Sequence, residues 1–157
     1  MGPLRELRWW VRSRAEPCIN GRMTVPLPPD LVALLRRPSP CFVATLMPDG
    51  SPQLTETWVT TDGENVVLNI VGGMQKERNL RRDPRVSVNV VDPDDVNRFF
   101  EVRGRVVAMT TEGGKESIDE ISQKYLSIPY PYFSGNPDEA RVIVTIGADK
   151  VNPPAAG

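Results

Sequence analysis

The residues of this chain best suited to chemistry lie between Asn69 and Arg85. A short apolar run ends at Gly72-Gly73, and a charged segment of helical character follows from Gln75 to Arg82. The first amides of a helix have no acceptor within the helix and lie at the positive end of its dipole, so such a junction favours an anion. Lys76 in the predicted first turn adds a full positive charge. Asn79, three residues further on, offers an amide donor on the same face.

Two other interpretations of this segment compete with an anion site. The predicted helix and the residues after it are rich in arginine, which is also typical of a solvated basic surface or of a nucleic-acid patch. The net charge of the chain is -1. The segment also lacks neighbouring aromatic residues on which bases could stack, so a nucleic-acid partner is not expected. A solvated basic helix remains an alternative interpretation of this segment.

Histidine is absent from the sequence. This excludes histidine-ligated zinc, a Ser-His-Asp triad and a histidine general base. Cys18 and Cys41 have no metal-ligand spacing, so no metal site is expected. Any chemistry must come from a cofactor or from Asp, Glu, Lys, Tyr or Cys side chains, and no catalytic residue can be named.

Six strands and three short helices are predicted to position these residues. The spacing of apolar residues and of Gly/Pro turn signals predicts strands over 41–46, 53–60, 66–71, 86–90, 98–109 and 141–146. Helices are predicted over 31–37, with Asp30 as its N-cap, over 75–82 and over 115–126. The hairpin-length turns favour antiparallel pairing, and Gly104 predicts a bulge or close backbone approach. The fold class is therefore mainly β with small α elements, a six-stranded antiparallel barrel.

One globular domain is expected over residues 23–152. Residues 1–22 are predicted to form a flexible N-terminal extension, and residues 153–157 a frayed tail. The sequence has no apolar run long enough to span a membrane and no secretory signal, and its two cysteines do not suggest a disulfide framework. We therefore expect a cytoplasmic protein without a membrane partner.

Several side chains carry two interpretations each. Trp58 is expected in the core, with the wall of a substrate pocket as the alternative. Glu56 is expected to face solvent, and the alternative is a carboxylate that steers a substrate. Tyr130 and Tyr132 are expected to pack at an interface or to cover a pocket. Cys41 is expected to be a buried thiol without catalytic function.

Three segments together resemble a known family. Residues 48–53, 76–85 and 98–105 are similar, in order and spacing, to signatures of the F420-dependent branch of the pyridoxamine 5'-phosphate oxidase-like split β-barrels. The resemblance covers roughly residues 27–151. It implies the FMN-binding split-barrel type of fold and an oxidoreductase that transfers a hydride between deazaflavin F420 and a small conjugated or electrophilic substrate. FMN as the cofactor, or a non-catalytic protein that binds and stores F420, are the alternatives.

The resemblance also implies roles for individual residues in a homodimer with cofactor sites at the subunit interface. Lys76 and Asn79 would hold the cofactor phosphate, and Met74 and Gln75 would offer backbone N–H groups. The other implied contacts are Gln53, Thr55 and Thr57 along the ring and its side chain, Asn69 near the ring, and Asn97 and Arg98 from the facing subunit. F420 is favoured over FMN, because the surplus of arginine suits the extra carboxylates of F420.

Overall fold

The computed structural model describes residues 18–19 and 22–155. Most of the predicted extension over residues 1–22, and residues 156–157 of the predicted tail, lie outside the described residues. The elements are β1 Cys18–Ile19, β2 Arg22–Met23, α1 Pro29–Leu35, β3 Cys41–Leu46, β4 Pro52–Glu56, β5 Val59–Thr61, β6 Val66–Val71, α2 Gln75–Arg82, β7 Arg85–Asp92, β8 Asp95–Thr110, α3 Gly114–Leu126 and β9 Arg141–Asn152. No helix within the described part of the chain is long and apolar enough to cross a membrane.

The main sheet has seven antiparallel strands in the order β4-β3-β7-β8-β9-β6-β5, and β1 pairs with β2 separately. Strands β4 and β5 stand at opposite ends of this order, yet only Thr57 and Trp58 separate them in the chain. The three Cα–Cα steps from Glu56 to Val59 span no more than about 11 Å. The sheet must therefore curl until its two ends approach each other, which gives the split barrel predicted from the sequence.

The core lies inside the curl of the sheet. Alternate residues of β3, β7 and β9 point inward, as the period of two in these strands predicts. Leu31, Leu34 and Leu35 of α1 and Leu80 of α2 join this cluster. Cys41 is also fully buried in the cluster, and its burial raises the pKa of the thiol to about 12. The prediction of a buried Cys41 thiol is confirmed.

The structure differs from the predicted strands at one place that matters for the site. The predicted strand over residues 53–60 is two strands, because β4 pairs with β3 whereas β5 pairs with β6. The Thr57 amide still donates to the Cys41 carbonyl at 2.9 Å, and the chain changes its partner strand immediately afterwards. The sheet therefore has one strand more than the six predicted.

The predicted N-cap of α1 was wrong. The helix begins at Pro29 with Pro28 as its N-cap, and no side chain caps it. Proline at the first helical position has a suitable φ and lacks only an amide that would be unpaired there. The Asp30 carboxylate instead accepts a hydrogen bond from Arg98 at 3.1 Å.

Gly104 lies where β8 shifts its register against β9. A Cβ at this position would come within 2.3 Å of the Gly147 carbonyl oxygen. The predicted close approach of two backbones is confirmed.

Candidate functional site

A cavity of about 640 Å³ opens between β4, β6, the start of α2 and the loop that precedes β9. Seven of the ten residues that the resemblance implied for cofactor binding line it. These are Gln53, Thr55, Thr57, Asn69, Met74, Gln75 and Lys76. They come together because the short link after β4 and the Gly72-Gly73 break after β6 end at the same side of the curled sheet.

The amides at the start of α2 are only partly available. The Gly72 amide donates to the Ala140 carbonyl at 2.8 Å, and the Gly73 amide donates to the Glu77 carboxylate at 2.5 Å. Glu77 reaches back over the first turn, as an acidic side chain near a helix start commonly does. The amides of Met74, Gln75 and Lys76 have no hydrogen-bond acceptor among the described residues. The backbone amides available to a ligand therefore begin at Met74, immediately after the two glycines.

Lys76 is half-buried at the cavity wall. Its ammonium group forms neither a hydrogen bond nor an ion pair with any of the described residues, and burial lowers its pKa. A partly desolvated cation without a counter-charge favours an anion beside it. Three unpaired amides and one unpaired ammonium group therefore share this end of the cavity.

Asn79 has a different position from the other predicted contacts. Its side chain is fully buried and does not line the cavity. The amide nitrogen lies 3.0 Å from the Thr45 hydroxyl and 3.1 Å from the Gln53 side-chain oxygen, and its oxygen accepts from the Gln75 side chain at 2.8 Å. Asn79 thus orients Gln53 and Gln75, two residues that do line the cavity.

Thr55 presents an unsatisfied group at the cavity. Gln53 and Thr55 alternate along β4, and Thr57 follows the strand with the same spacing. The hydroxyl oxygen of Thr55 is buried and has no hydrogen-bond partner among residues 18–19 and 22–155. Buried polar atoms are usually paired, so this oxygen is an exception at the cavity wall.

Asn97 and Arg98 are not brought to the cavity of their own chain. They lie near the start of β8, where Asn97 is exposed. Arg98 donates to Asp92 at 2.9 Å and to Asp30 at 3.1 Å. Their contribution across a subunit interface stays a prediction.

Sequence reasoning missed Arg141, which lines the cavity beside Asn69. Its buried guanidinium group forms an ion pair with Glu139 at 2.9 Å and donates to the Asn69 side-chain oxygen at 2.8 Å. The Asn69 amide in turn donates to the Gly114 carbonyl at 2.7 Å. The sequence signal was weak, since an arginine at the first position of a strand usually faces solvent.

Aromatic side chains form the other end of the cavity. Trp58, Tyr130 and Phe133 line it, whereas Tyr132 does not. The centroid of the Trp58 ring is 6.0 Å from that of Tyr130 and 6.1 Å from that of Phe133. Trp58 is therefore a wall of the cavity, as its alternative interpretation held. Glu56 is exposed, as expected, and also borders the cavity.

Comparisons with known proteins agree with this geometry. The family model described as pyridoxamine 5'-phosphate oxidase matches residues 27–153. A solved structure of an F420 reductase is 29% identical over 80% of this chain and 98% of its own, with a TM-score of 0.67. A conserved hypothetical protein from Mycobacterium tuberculosis is 27% identical over 82% of this chain and 84% of its own, with a TM-score of 0.60.

A putative pyridoxamine 5'-phosphate oxidase from Listeria innocua shares the fold at 20% identity. It covers 79% of this chain and 94% of its own, with a TM-score of 0.60. No protein of curated function matches the chain.

Proposed function

Because the chain belongs to the pyridoxamine 5'-phosphate oxidase family, we propose that it is an oxidoreductase that binds deazaflavin F420 and reduces a small conjugated or electrophilic substrate. The proposal concerns the cavity beside α2. Its polar end is assigned to the cofactor and its aromatic end to the substrate.

The observation that carries the proposal is the unpaired charge of Lys76. The ammonium group is half-buried, has no counter-charge among the described residues and adjoins the free amides of Met74, Gln75 and Lys76. A phosphate group would satisfy all of these donors at once, since helix starts bind phosphate through backbone amides and the dipole. A solvated basic helix would leave its lysine in water instead.

The remaining polar groups fit a ring with a polyhydroxylated side chain. Thr55 has a buried hydroxyl oxygen without a partner in the described part of the chain, and Gln53 accepts a hydrogen bond from Asn79. Asn69 lines the cavity and is oriented there by Arg141. The volume of about 640 Å³ lies in the range of small-molecule sites.

The groups that the chain provides indicate which tasks belong to the cofactor and which to the protein. A bound deazaflavin supplies hydride chemistry that protein side chains lack. Lys76 and the α2 amides bind the anionic end, and Asn79 holds Gln53 and Gln75 in place. Trp58 and Phe133 offer apolar ring surface to the substrate.

F420 is favoured over FMN for two reasons. Arg78, Arg81 and Arg82 are exposed on α2, where they suit the additional carboxylates of F420. The structure of an F420 reductase matches this chain at 29% identity over nearly all of its own length. FMN also carries a phosphate at the end of its ribityl chain, so a direct comparison of the two ligands is needed.

Parallel fluorescence titrations with F420 and FMN test the proposal. We expect tighter binding of F420, and a loss of about 1.5–3 kcal/mol for Lys76→Ala, the usual value of a charge-assisted hydrogen bond. This corresponds to a rise in Kd of roughly 10- to 150-fold. The matched control is Lys150→Ala, because Lys150 is exposed on β9 and remote from the cavity lining.

An unchanged Kd for Lys76→Ala would contradict the anion site, and tighter binding of FMN would replace F420 as the cofactor. Tight F420 binding without turnover across a broad panel of electron acceptors would favour a storage protein over a reductase.

A further inference from the structure

The charged side chains at the cavity differ in whether a partner of opposite charge lies beside them. Lys76 serves the phosphate in the function proposed above, and the positive charge of Arg141 is balanced by Glu139 at 2.9 Å. Glu56 borders the same cavity, two residues before Trp58. Its carboxylate forms no hydrogen bond or ion pair within the part of the chain that the structure describes. Once the phosphate is bound, Glu56 is the uncompensated charge at the aromatic end.

The aromatic end is open to a flat ligand. The planes of Trp58, Tyr130 and Phe133 are close to mutually perpendicular, at 88°, 74° and 85° for the three pairs. Tyr125 already stacks against Trp58 at 5.1 Å, and the Arg141 guanidinium group lies 4.8 Å from the centre of the Tyr130 ring. The Phe133 side chain is 70% exposed. The uncovered ring surface is therefore greatest at Phe133 and beside Trp58.

Aromatic faces next to a carboxylate favour organic cations. The negative face of an aromatic ring attracts a cation, and the attraction grows when water is excluded. A carboxylate nearby adds Coulombic attraction and repels anions. A neutral flat ligand would gain the stacking alone.

We infer that Glu56 determines the specificity of this site for a flat organic cation, which it holds against Trp58 and Phe133 as the hydride acceptor. The inference rests on the proposed function for the source of the hydride. A ring atom of the cation receives one proton with two electrons, and the same two electrons leave the reduced deazaflavin, which is oxidised. The acceptor becomes neutral, so the step needs no proton donor from the protein, and the ring N–H proton that the deazaflavin would lose on oxidation would pass to solvent.

Binding of three probes of similar shape tests the specificity without any turnover. N-methylquinolinium is a cation, methylnaphthalene is neutral and naphthoate is an anion. Each is titrated by calorimetry into the cofactor-free protein in phosphate buffer, so that inorganic phosphate occupies the anion site at Lys76 and naphthoate cannot bind there. We expect the cation to bind about 5- to 20-fold more tightly than the neutral probe, from the usual strength of a partly desolvated cation–π contact with a nearby carboxylate. Naphthoate should bind most weakly.

Two variants separate the charge of Glu56 from a general effect. Glu56→Gln keeps the shape of the side chain and should lower the preference for the cation severalfold, to the part that the aromatic rings supply alone, while the affinity for methylnaphthalene stays unchanged. Glu64→Gln removes an exposed carboxylate from the β5–β6 turn and should retain the preference.

Equal affinities of the cation and the neutral probe for the native protein, or a preference that is undiminished in Glu56→Gln, would overturn the inference. Because the titrations omit the cofactor, failure of the F420 proposal would leave their outcome unaffected. Conversely, a failed preference here would not alter the Lys76 titrations.

Discussion

Lys76 connects the chemistry of the site to pH. Burial lowers the pKa of Lys76, so its charge is lost at a lower pH than that of an ordinary lysine. The ammonium form is the one that attracts phosphate, and a phosphate group is already fully ionised above about pH 8. Cofactor affinity should therefore fall as the pH rises through the lowered pKa of the free protein.

This pH dependence is measured by repeating the fluorescence titrations between about pH 8 and 10, below the ordinary pKa of a lysine side chain. Lys76→Ala should show weaker binding with a nearly flat profile, whereas Lys76→Arg keeps a charge throughout and should be flat as well. A native profile parallel to that of Lys76→Ala would mean that Lys76 is not the titrating group.

At the residue scale, the sequence predicted the chemistry of the site better than it predicted the hydrogen bonds among its side chains. A lysine in the first turn after two glycines predicted an anion site, and the structure leaves that lysine unpaired. Asn79 was expected to contact the phosphate directly, because a helical period places it on the face of Lys76. Its burial depends on Thr45 and Gln53, which lie far away in the chain, so local spacing could not reveal it.

At the scale of elements, the loop from residue 127 to 140 depends on a buried ion pair. Glu139 and Arg141 are both almost fully buried, and Arg141 also holds Asn69 and contacts the Tyr130 ring. Glu139→Gln would leave the guanidinium group without its counter-charge. Removing one partner of a buried pair costs about 3–5 kcal/mol.

We expect Glu139→Gln to lower the free energy of unfolding by about that amount, measured by urea denaturation, and to increase hydrogen exchange in the loop. The exposed Glu112→Gln, in the turn before α3, is the control. A variant as stable as the native protein would show that Asn69 and Tyr130 suffice to hold Arg141.

Elements were predictable where a local pattern decides them. Alternating valines predicted β7, and the glycines and prolines predicted most turns. The division of residues 53–60 was not predictable, because both halves are extended and only the change of partner from β3 to β6 separates them. The start of α1 was misassigned because Asp30 is a good N-cap in isolation, whereas Pro29 begins the helix.

At the scale of the whole molecule, we propose that two chains complete each cofactor site. The start of β8 exposes Val96 by 75% and Phe99 by 44%, on either side of Asn97 and Arg98. Large exposed apolar side chains next to polar residues are typical of interfaces. This arrangement supports the implied role of Asn97 and Arg98 as contacts from the facing subunit.

Light scattering on a sizing column tests the assembly. The native protein should be a dimer, and Phe99→Asp should yield a monomer that binds F420 at least about tenfold more weakly, the loss of one or two good contacts. Leu126→Asp, at the exposed end of α3, is the matched control and should remain dimeric. A monomeric native protein would contradict the proposal.

The order of strands in the sheet has a consequence for biosynthesis. Strand β9 lies between β8 and β6, and β6 pairs with it across about 75 residues of sequence, Val66 with Ile146 and Val71 with Arg141. Strands β6 and β8 therefore each keep one unpaired edge until β9 has left the ribosome. Such distant pairing is slow to form, and open edges invite aggregation. Nascent chains halted before residue 141 should therefore be the species that chaperones retain.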